Sequence, residues 1–423
     1  MLVEQRRIQR ERGGRVLRGF VRVCEPRIVR MLFSTTAGSG HFGPLIPVAR
    51  ACLAAGHQVR VAAPASFASA VGRAGLEHAP FADVPLEVMG PVFGRLPALS
   101  FEAANATVIA DVFARLDAQA ALPGLTELVA SWGPDLIVRE SCEFGSLAAA
   151  ERAGIPHVEV AIGIGSFLEA FGPILWAPLA ELSVLAGLPA DRVAHALARA
   201  TRLTSVPAVL DGTGRNTRPV APDLRSAVVH RFRDPDATSA AARLPEPWGD
   251  PEQPLVYVTF GSVTAGLGPF AAMYRQTLEA LADLPVRVLM TTGGDGDVPV
   301  DPVPANAHVE SWWPQADVMA AASAMIGHGG FGTTMLALAA GVPQVVAPLF
   351  ASDQVANAER VAGVGAGIQV PAGPAAVTHL PAALKQVLAD PAFRARARVV
   401  AADIAALPEV TSCLLILEDL ART

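Results

Sequence analysis

Lysine is almost absent from this chain: Lys385 is the only one among 33 basic residues in 423 positions. Schiff-base chemistry and P-loop phosphate binding both require a lysine at a buried or glycine-rich position. Lys385 sits instead in a polar helical pattern near the C-terminus, which sets both classes aside. Cysteine is scarce too. Cys24, Cys52, Cys142 and Cys413 share no metal-type or redox-type spacing, so reduced thiols in a cytoplasmic protein are expected, with no cysteine-built zinc site. Every apolar run of about 18 residues is broken by a charge, a proline or a strongly polar residue, so no stable membrane insertion is expected.

Charge is unevenly placed. Residues 1–30 hold nine arginines and three acidic residues, a net of +6, so the remainder carries −12 of the overall −6. An acidic body is a poor nucleic-acid binder, and no nucleic-acid partner is expected. The basic N-terminal extension, 1–30, is expected to be disordered. It reads better as a stretch upstream of a start at Met31 than as a functional arm. No apolar core follows its arginines, so it is not a secretory signal. At 52% hydrophobic and 17% charged, the chain has material for two full cores.

The stretch 326–354 is the most informative. A short apolar run, Ala324 to Ile326, reaches the glycine turn His328-Gly329-Gly330-Phe331-Gly332. Thr333 and Thr334 are then expected to cap an apolar helix that stops at Gly341 and Pro343. Free amides and the positive end of a helix dipole suit such a turn to a phosphate, and His328 adds a donor. A further strand, Gln344 to Ala347, leads to the polar pair Asp353-Gln354.

The first half repeats the pattern. A strand over Ile28 to Ser34 precedes the loop Thr35 to Gly43, and Pro44 opens a helix. Gly38, Gly40 and Gly43 match the dinucleotide spacing, but the next strand ends in Ala63-Pro64, without the acidic residue that would hold a ribose. His41 in this loop has the right intrinsic pKa for a general base. Such a base needs an orienting carboxylate; the strand Asp135 to Val138 ends near Glu140, with Glu143 as reserve. An apolar stretch over 160–190, interrupted by glycines and prolines, suits a mobile wall for a hydrophobic ligand, although residue by residue ordinary core accounts for it. Asp295 and Asp297 form a D-x-D better read as turn chemistry than as a metal pair. Trp312 suits either a nucleobase face or a core position. A proline-rich, charged region over 211–253 reads as a linker. The fold class expected is α/β, with two facing doubly wound Rossmann-like domains and a ligand cleft between them.

Taken together, Trp312-x-Pro314-Gln315, His328-Gly329-Gly330-x-Gly332-Thr333, Gly341-Val342-Pro343 and Asp353-Gln354 resemble the donor signature of family 1 glycosyltransferases of the GT-B fold. The style is that of actinomycete enzymes that decorate macrolides, anthracyclines and enediynes. Gly40-His41-x-x-Pro44 is similar to that family's catalytic-histidine loop, and Asp135 to Glu140 resembles the strand carrying its acidic partner. The resemblance spans about residues 28–420.

It implies an acceptor domain over 31–215, a linker over 216–253, a donor domain over 254–400, and C-terminal helices over 401–423 packing back on the first domain. His41 would deprotonate an acceptor hydroxyl, with Glu140 orienting it. Gly261, Ser262, His328, Gly329, Gly330, Gly332 and Thr333 would hold the diphosphate. Trp312 would stack on the nucleobase, Gln315 would belong to the same donor site, and Asp353 and Gln354 would hydrogen-bond the sugar hydroxyls. Phe42, Phe144, Phe167, Phe171 and Trp176 are the expected acceptor wall. The implied reaction inverts the anomeric carbon and needs no metal and no cofactor beyond a nucleotide-sugar co-substrate, TDP-linked by resemblance. The acceptor would be a hydrophobic small molecule; a homodimer or an auxiliary protein is compatible. Two other classes share the cradle: a GT-B nucleotide-sugar epimerase, and a catalytically silent partner-activating homologue.

Overall fold

A computed structural model describes residues 27–165, 167–211, 228–238, 241–266, 268–293, 298 and 300–422; the side chains of 167–170, 268 and 269 also lie outside the description. Two parallel sheets organise it. The first contains β1 (Arg30–Ser34), β2 (Gln58–Pro64), β3 (His78–Phe81), β4 (Leu136–Glu140), β5 (His157–Val160), β6 (Thr201–Thr204) and β7 (Val229–Arg231), in the order β3-β2-β1-β4-β5-β6-β7. The second contains β8 (Leu255–Thr259), β9 (Arg287–Thr291), β10 (Ala307–Glu310), β11 (Ala324–Gly327), β12 (Gln344–Val346) and β13 (Gly367–Gln369), in the order β10-β9-β8-β11-β12-β13. Helices cover both faces, so the central strands are buried throughout: Leu-Ile-Val-Arg-Glu in β4 and Leu-Val-Tyr-Val-Thr in β8.

Each sheet has one place where successive crossovers change direction. In the first, β1 pairs with both β2 and β4, Ser34 standing beside Arg139. In the second, β8 pairs with both β9 and β11, Thr259 standing beside Gly327. Loops leaving the carboxyl ends of such strands diverge and open a crevice.

Several local expectations change. The loop after β1 contains a short helix, Ser39–Phe42, before the helix Leu45–Ala54. The 160–190 stretch is not broken by its prolines. It forms a 19-residue helix, Phe167–Leu185, with Pro173 and Pro178 inside it, because Leu175, Leu179 and Leu182 pack into the first core and compensate for two lost amide donors. β7 falls within the expected linker 216–253 and extends the first sheet, Arg202 standing beside Val229. Residues 1–26 of the basic extension, Cys24, and the D-x-D at Asp295 and Asp297 lie outside the described residues.

At the other end, the helix Pro391–Ala405 buries Ala397, Val400 and Ile404 with Phe331 and Met335, and Val206 and Leu210 of the first half join that cluster. The helix Ser412–Leu420 puts Cys413 and Leu417 into the core that holds Met31, Phe33 and Val48. His57 Nε2 stands 3.2 Å from Glu418 Oε1 on the same helix. The C-terminus thus ties the two halves together. Leu417→Ala should cost about 2–5 kcal/mol of stability by leaving a cavity under β1, read as a lowered urea midpoint; an unchanged midpoint would show that the helix contributes nothing there.

Candidate active site

The loop after β1 turns sharply at Gly38, where φ is 148°, and delivers His41 to the end of β4. His41 Nδ1 lies 3.2 Å from Glu140 Oε1. The Glu140 side chain is fully buried, while that of His41 retains 22% exposure. Oε1 also accepts from the backbone N and Oγ1 of Thr36, at 3.3 and 3.1 Å, and Oε2 from the backbone N of Cys142 at 2.6 Å. Burial favours the neutral acid, but His41 and the donors from Cys142 and Thr36 outweigh it and hold the Glu140 carboxyl below the ordinary range. Burial likewise opposes charge on His41; Glu140 above all, helped by Asp353 and Asp117, outweighs it and raises the imidazole above 6.5. Glu143 is occupied elsewhere, accepting from the backbone N of Ser146 at 3.0 and 3.1 Å.

The ligand atoms of His41, Glu140 and Cys142 are close enough to invite a metal. The Cys142 thiol, however, is pushed well above 9 by burial and by Glu140, Asp353 and Glu159, so it resists the deprotonation that a metal bond needs.

Across the crevice, Gly261 follows β8 at φ +83°, and a side chain there would meet the His328 ring at 2.7 Å. Gly329 has φ +86°, and a Cβ would stand 2.7 Å from the Gln354 carbonyl oxygen. The His328 ring therefore lies between Gly261 and Gly330, at the start of the helix Phe331–Ala339. The residue is half-buried, and no hydrogen bond of good geometry meets its buried Nδ1. Burial pushes its pKa down to about 4, with the Thr259 backbone opposing. The expected threonine cap is replaced by Gly330, which has no side chain to cap with. Thr333 lies inside the helix, and its hydroxyl donates to Gln315 Oε1 at 3.1 Å. The first return bond is Thr334 N to Gly330 O, so the amides of Phe331, Gly332 and Thr333 have no partner within the helix.

Trp312 is 69% exposed, which removes the core alternative. Its neighbour Trp313 donates to the Arg243 carbonyl at 2.9 Å. Asp353 is exposed in the first turn of the helix Ser352–Gly363 and acts on His41 by charge. Gln354 is buried, and its amide oxygen accepts from the backbone N of Leu349 and Phe350 at 2.8 and 3.2 Å. That oxygen is thus committed to the loop, and only the amide nitrogen is left for a sugar hydroxyl. The two crevices face each other: Ser39 Oγ and Ser262 Oγ are 2.9 Å apart, and Asn105 bonds Phe350 O and Ser352 N at 3.1 and 2.8 Å.

A cavity of about 230 Å3 adjoins the His41–Glu140 pair, sharing Thr36, Phe113 and Cys142 with its surroundings. The Phe113 ring is 5.1 Å from that of His41. Of the five expected wall residues, only Phe144 lines this cavity. Phe42 is buried against Phe67, while Phe171 and Trp176 pack on the first core; the Phe167 side chain is outside the description. The lining of this cavity also includes Phe81, Met89, Phe93, Val112 and Phe113, with Asp117 among them. An acid four residues from both Phe113 and Ala121 along an apolar helical run was the available signal.

Residues 275–420 match the Erythromycin biosynthesis protein CIII-like C-terminal domain and residues 50–175 the corresponding N-terminal domain. The chain is 31% identical to L-demethylnoviosyl transferase of Streptomyces niveus, over 90% of this chain and 95% of that protein. It is 27% identical to TDP-daunosamine transferase DnrS of Streptomyces peucetius, over 93% and 97% of the two chains. The solved structure of the glycosyltransferase SnogD from Streptomyces nogalater superposes with a TM-score of 0.70 at 26% identity, covering 93% of this chain and 100% of that one. The chain therefore belongs to the GT-B-fold, family 1 glycosyltransferases of actinomycete natural-product biosynthesis, in their erythromycin-biosynthesis-protein-CIII-like group.

Proposed function

We propose that the enzyme transfers a deoxysugar from a TDP-linked donor to a hydroxyl of a hydrophobic natural product, inverting the anomeric carbon and using no metal. The observation that carries this is the placement of the His41–Glu140 pair beside an apolar cavity and opposite the glycine turn at His328. His41 Nε2, which has no hydrogen bond among the described residues, takes the acceptor's hydroxyl proton while Nδ1–H donates to Glu140. The acceptor oxygen bonds to the anomeric carbon as the carbon–oxygen bond to the diphosphate breaks, and the electron pair leaves with the diphosphate. The free amides of Phe331, Gly332 and Thr333 and the helix dipole receive that charge, which is the work a divalent ion would otherwise do. His328, neutral at pH 7, adds an N–H without repelling the adjacent helix terminus. The deoxysugar and TDP parts take their support from the names of the two relatives.

His41→Ala should lower transfer by about 10²–10⁴-fold while leaving TDP binding by calorimetry unchanged; near-normal turnover would sink the base assignment. Because His41 must be neutral to accept a proton and its pKa is raised, kcat/KM should fall as pH drops through a value above 6.5. Glu140→Gln removes the largest of the groups that raise it, leaving Asp353 and Asp117, so this acidic limb should move to lower pH as kcat falls; a limb that stays put would disprove the coupling. Trp312→Ala should weaken donor binding by about 1–3 kcal/mol if the exposed indole stacks on the base, seen as a higher donor KM with acceptor KM unchanged.

A further inference from the structure

Three carboxyl groups stand on the wall of the cavity beside His41, those of Asp83, Asp117 and Glu143, and among the described residues no arginine, lysine or histidine lines it. The rest of the wall is mainly apolar. Two of the acids are occupied. Asp83 accepts from the backbone N of Ser66 at 3.0 Å and from its hydroxyl, and Glu143 accepts from the Ser146 amide. The Asp117 carboxyl has no hydrogen bond and no ion pair to any described residue.

That carboxyl ends the π-helical segment Val108–Asp117, whose Val112 and Phe113 line the same wall; such widened turns recur at functional sites. Burial pushes Asp117 up to about 7; His41 opposes this, and Glu140 and Glu143 add to it. The one cationic neighbour, His41, is already committed to Glu140. An unpaired acid among other acids, inside an apolar enclosure, is stabilised by a cation that also donates N–H bonds. A neutral hydroxyl would supply the hydrogen bond but not the charge.

We infer that Asp117 is a specificity-determining residue of this cavity and selects an apolar acceptor that carries a protonated amine. This rests on the cavity being the acceptor site, as proposed above. The amine is held by the wall and takes no part in transfer; the reacting hydroxyl belongs to another part of the same acceptor.

The test uses full-length protein without nucleotide sugar, at pH 8, where Asp117 is ionised, and in about 0.15 M salt, which screens the protein's overall negative charge. Two probes of matched shape, 1-naphthylmethylamine and 1-naphthylmethanol, are compared by calorimetry. Wild type should bind the amine about tenfold more tightly than the alcohol. Asp117→Asn should abolish that preference and leave the alcohol unchanged, and His41→Ala should keep it. Equal or weaker binding of the amine by wild type, no binding of either probe, or a preference that survives Asp117→Asn would overturn the inference. The wild-type comparison stands even should the variant fold poorly. With no donor present, amine preference and sugar transfer can each fail alone, so the two proposals are separately refutable.

Discussion

A carboxylate with no exposed surface, that of Glu140, constrains everything around it. Leaving such a charge unpaired would cost several kcal/mol, so the chain surrounds it with donors. Cys142 N comes from the residues that follow β4, Thr36 N and Oγ1 come from the loop after β1, and His41 closes the set. The β1 loop cannot move away without exposing an uncompensated ion, so its path and the position of His41 are fixed together. Arg139, also fully buried, donates to the Glu140 carbonyl at 3.1 Å and pairs with Glu159 at 3.3 Å. The end of β4 is therefore anchored through both backbone and side chain.

The topology explains why these groups meet. His41 and Glu140 leave neighbouring strands at the reversal point of the first sheet, and Gly261 and His328 leave neighbouring strands at that of the second. Each reversal opens one crevice. The two crevices are brought mouth to mouth by Ser39 against Ser262, by Asn105 against the Phe350–Ser352 loop, and by the C-terminal helices that enter both cores. The first sheet thus brings the His41–Glu140 pair to the cleft and the second brings the glycine turn at His328.

Much of this was legible in the residues because it depends on local rules. Strands alternating with helices, and a glycine turn after a strand, are written in periodicity and in glycine placement. Gly261 and Gly329 adopt positive φ values next to His328, where a side chain would collide. What was not legible depends on distant packing. Pro173 and Pro178 looked like breaks, yet the helix survives because its leucines reach the core. Gln354 is expected to meet a sugar, and its sequence neighbours do not reveal that the backbone amides of Leu349 and Phe350 claim its oxygen and leave only its nitrogen for that role. Of the expected wall residues Phe144 does line the cavity beside His41, but Phe81, Met89, Phe93 and Phe113 line it too, and no single stretch of sequence reveals that shared enclosure.

The two histidines of the cleft have opposite protonation tendencies, and burial alone does not separate them. Both lie in crowded surroundings that disfavour the imidazolium. His41 has a saturated carboxylate behind it, so its cationic form is stabilised and proton uptake is eased. His328 has glycines and a helix N-terminus around it and no acid, so its pKa falls to about 4 and it stays neutral. The proposed roles, a base that receives a proton and a neutral donor beside a helix N-terminus, need these opposite settings. Placing the acid behind only one of them produces both. Exchanging the two environments would raise the pKa of the ring beside the glycine turn and take away the acid that favours proton uptake at the ring beside the cavity.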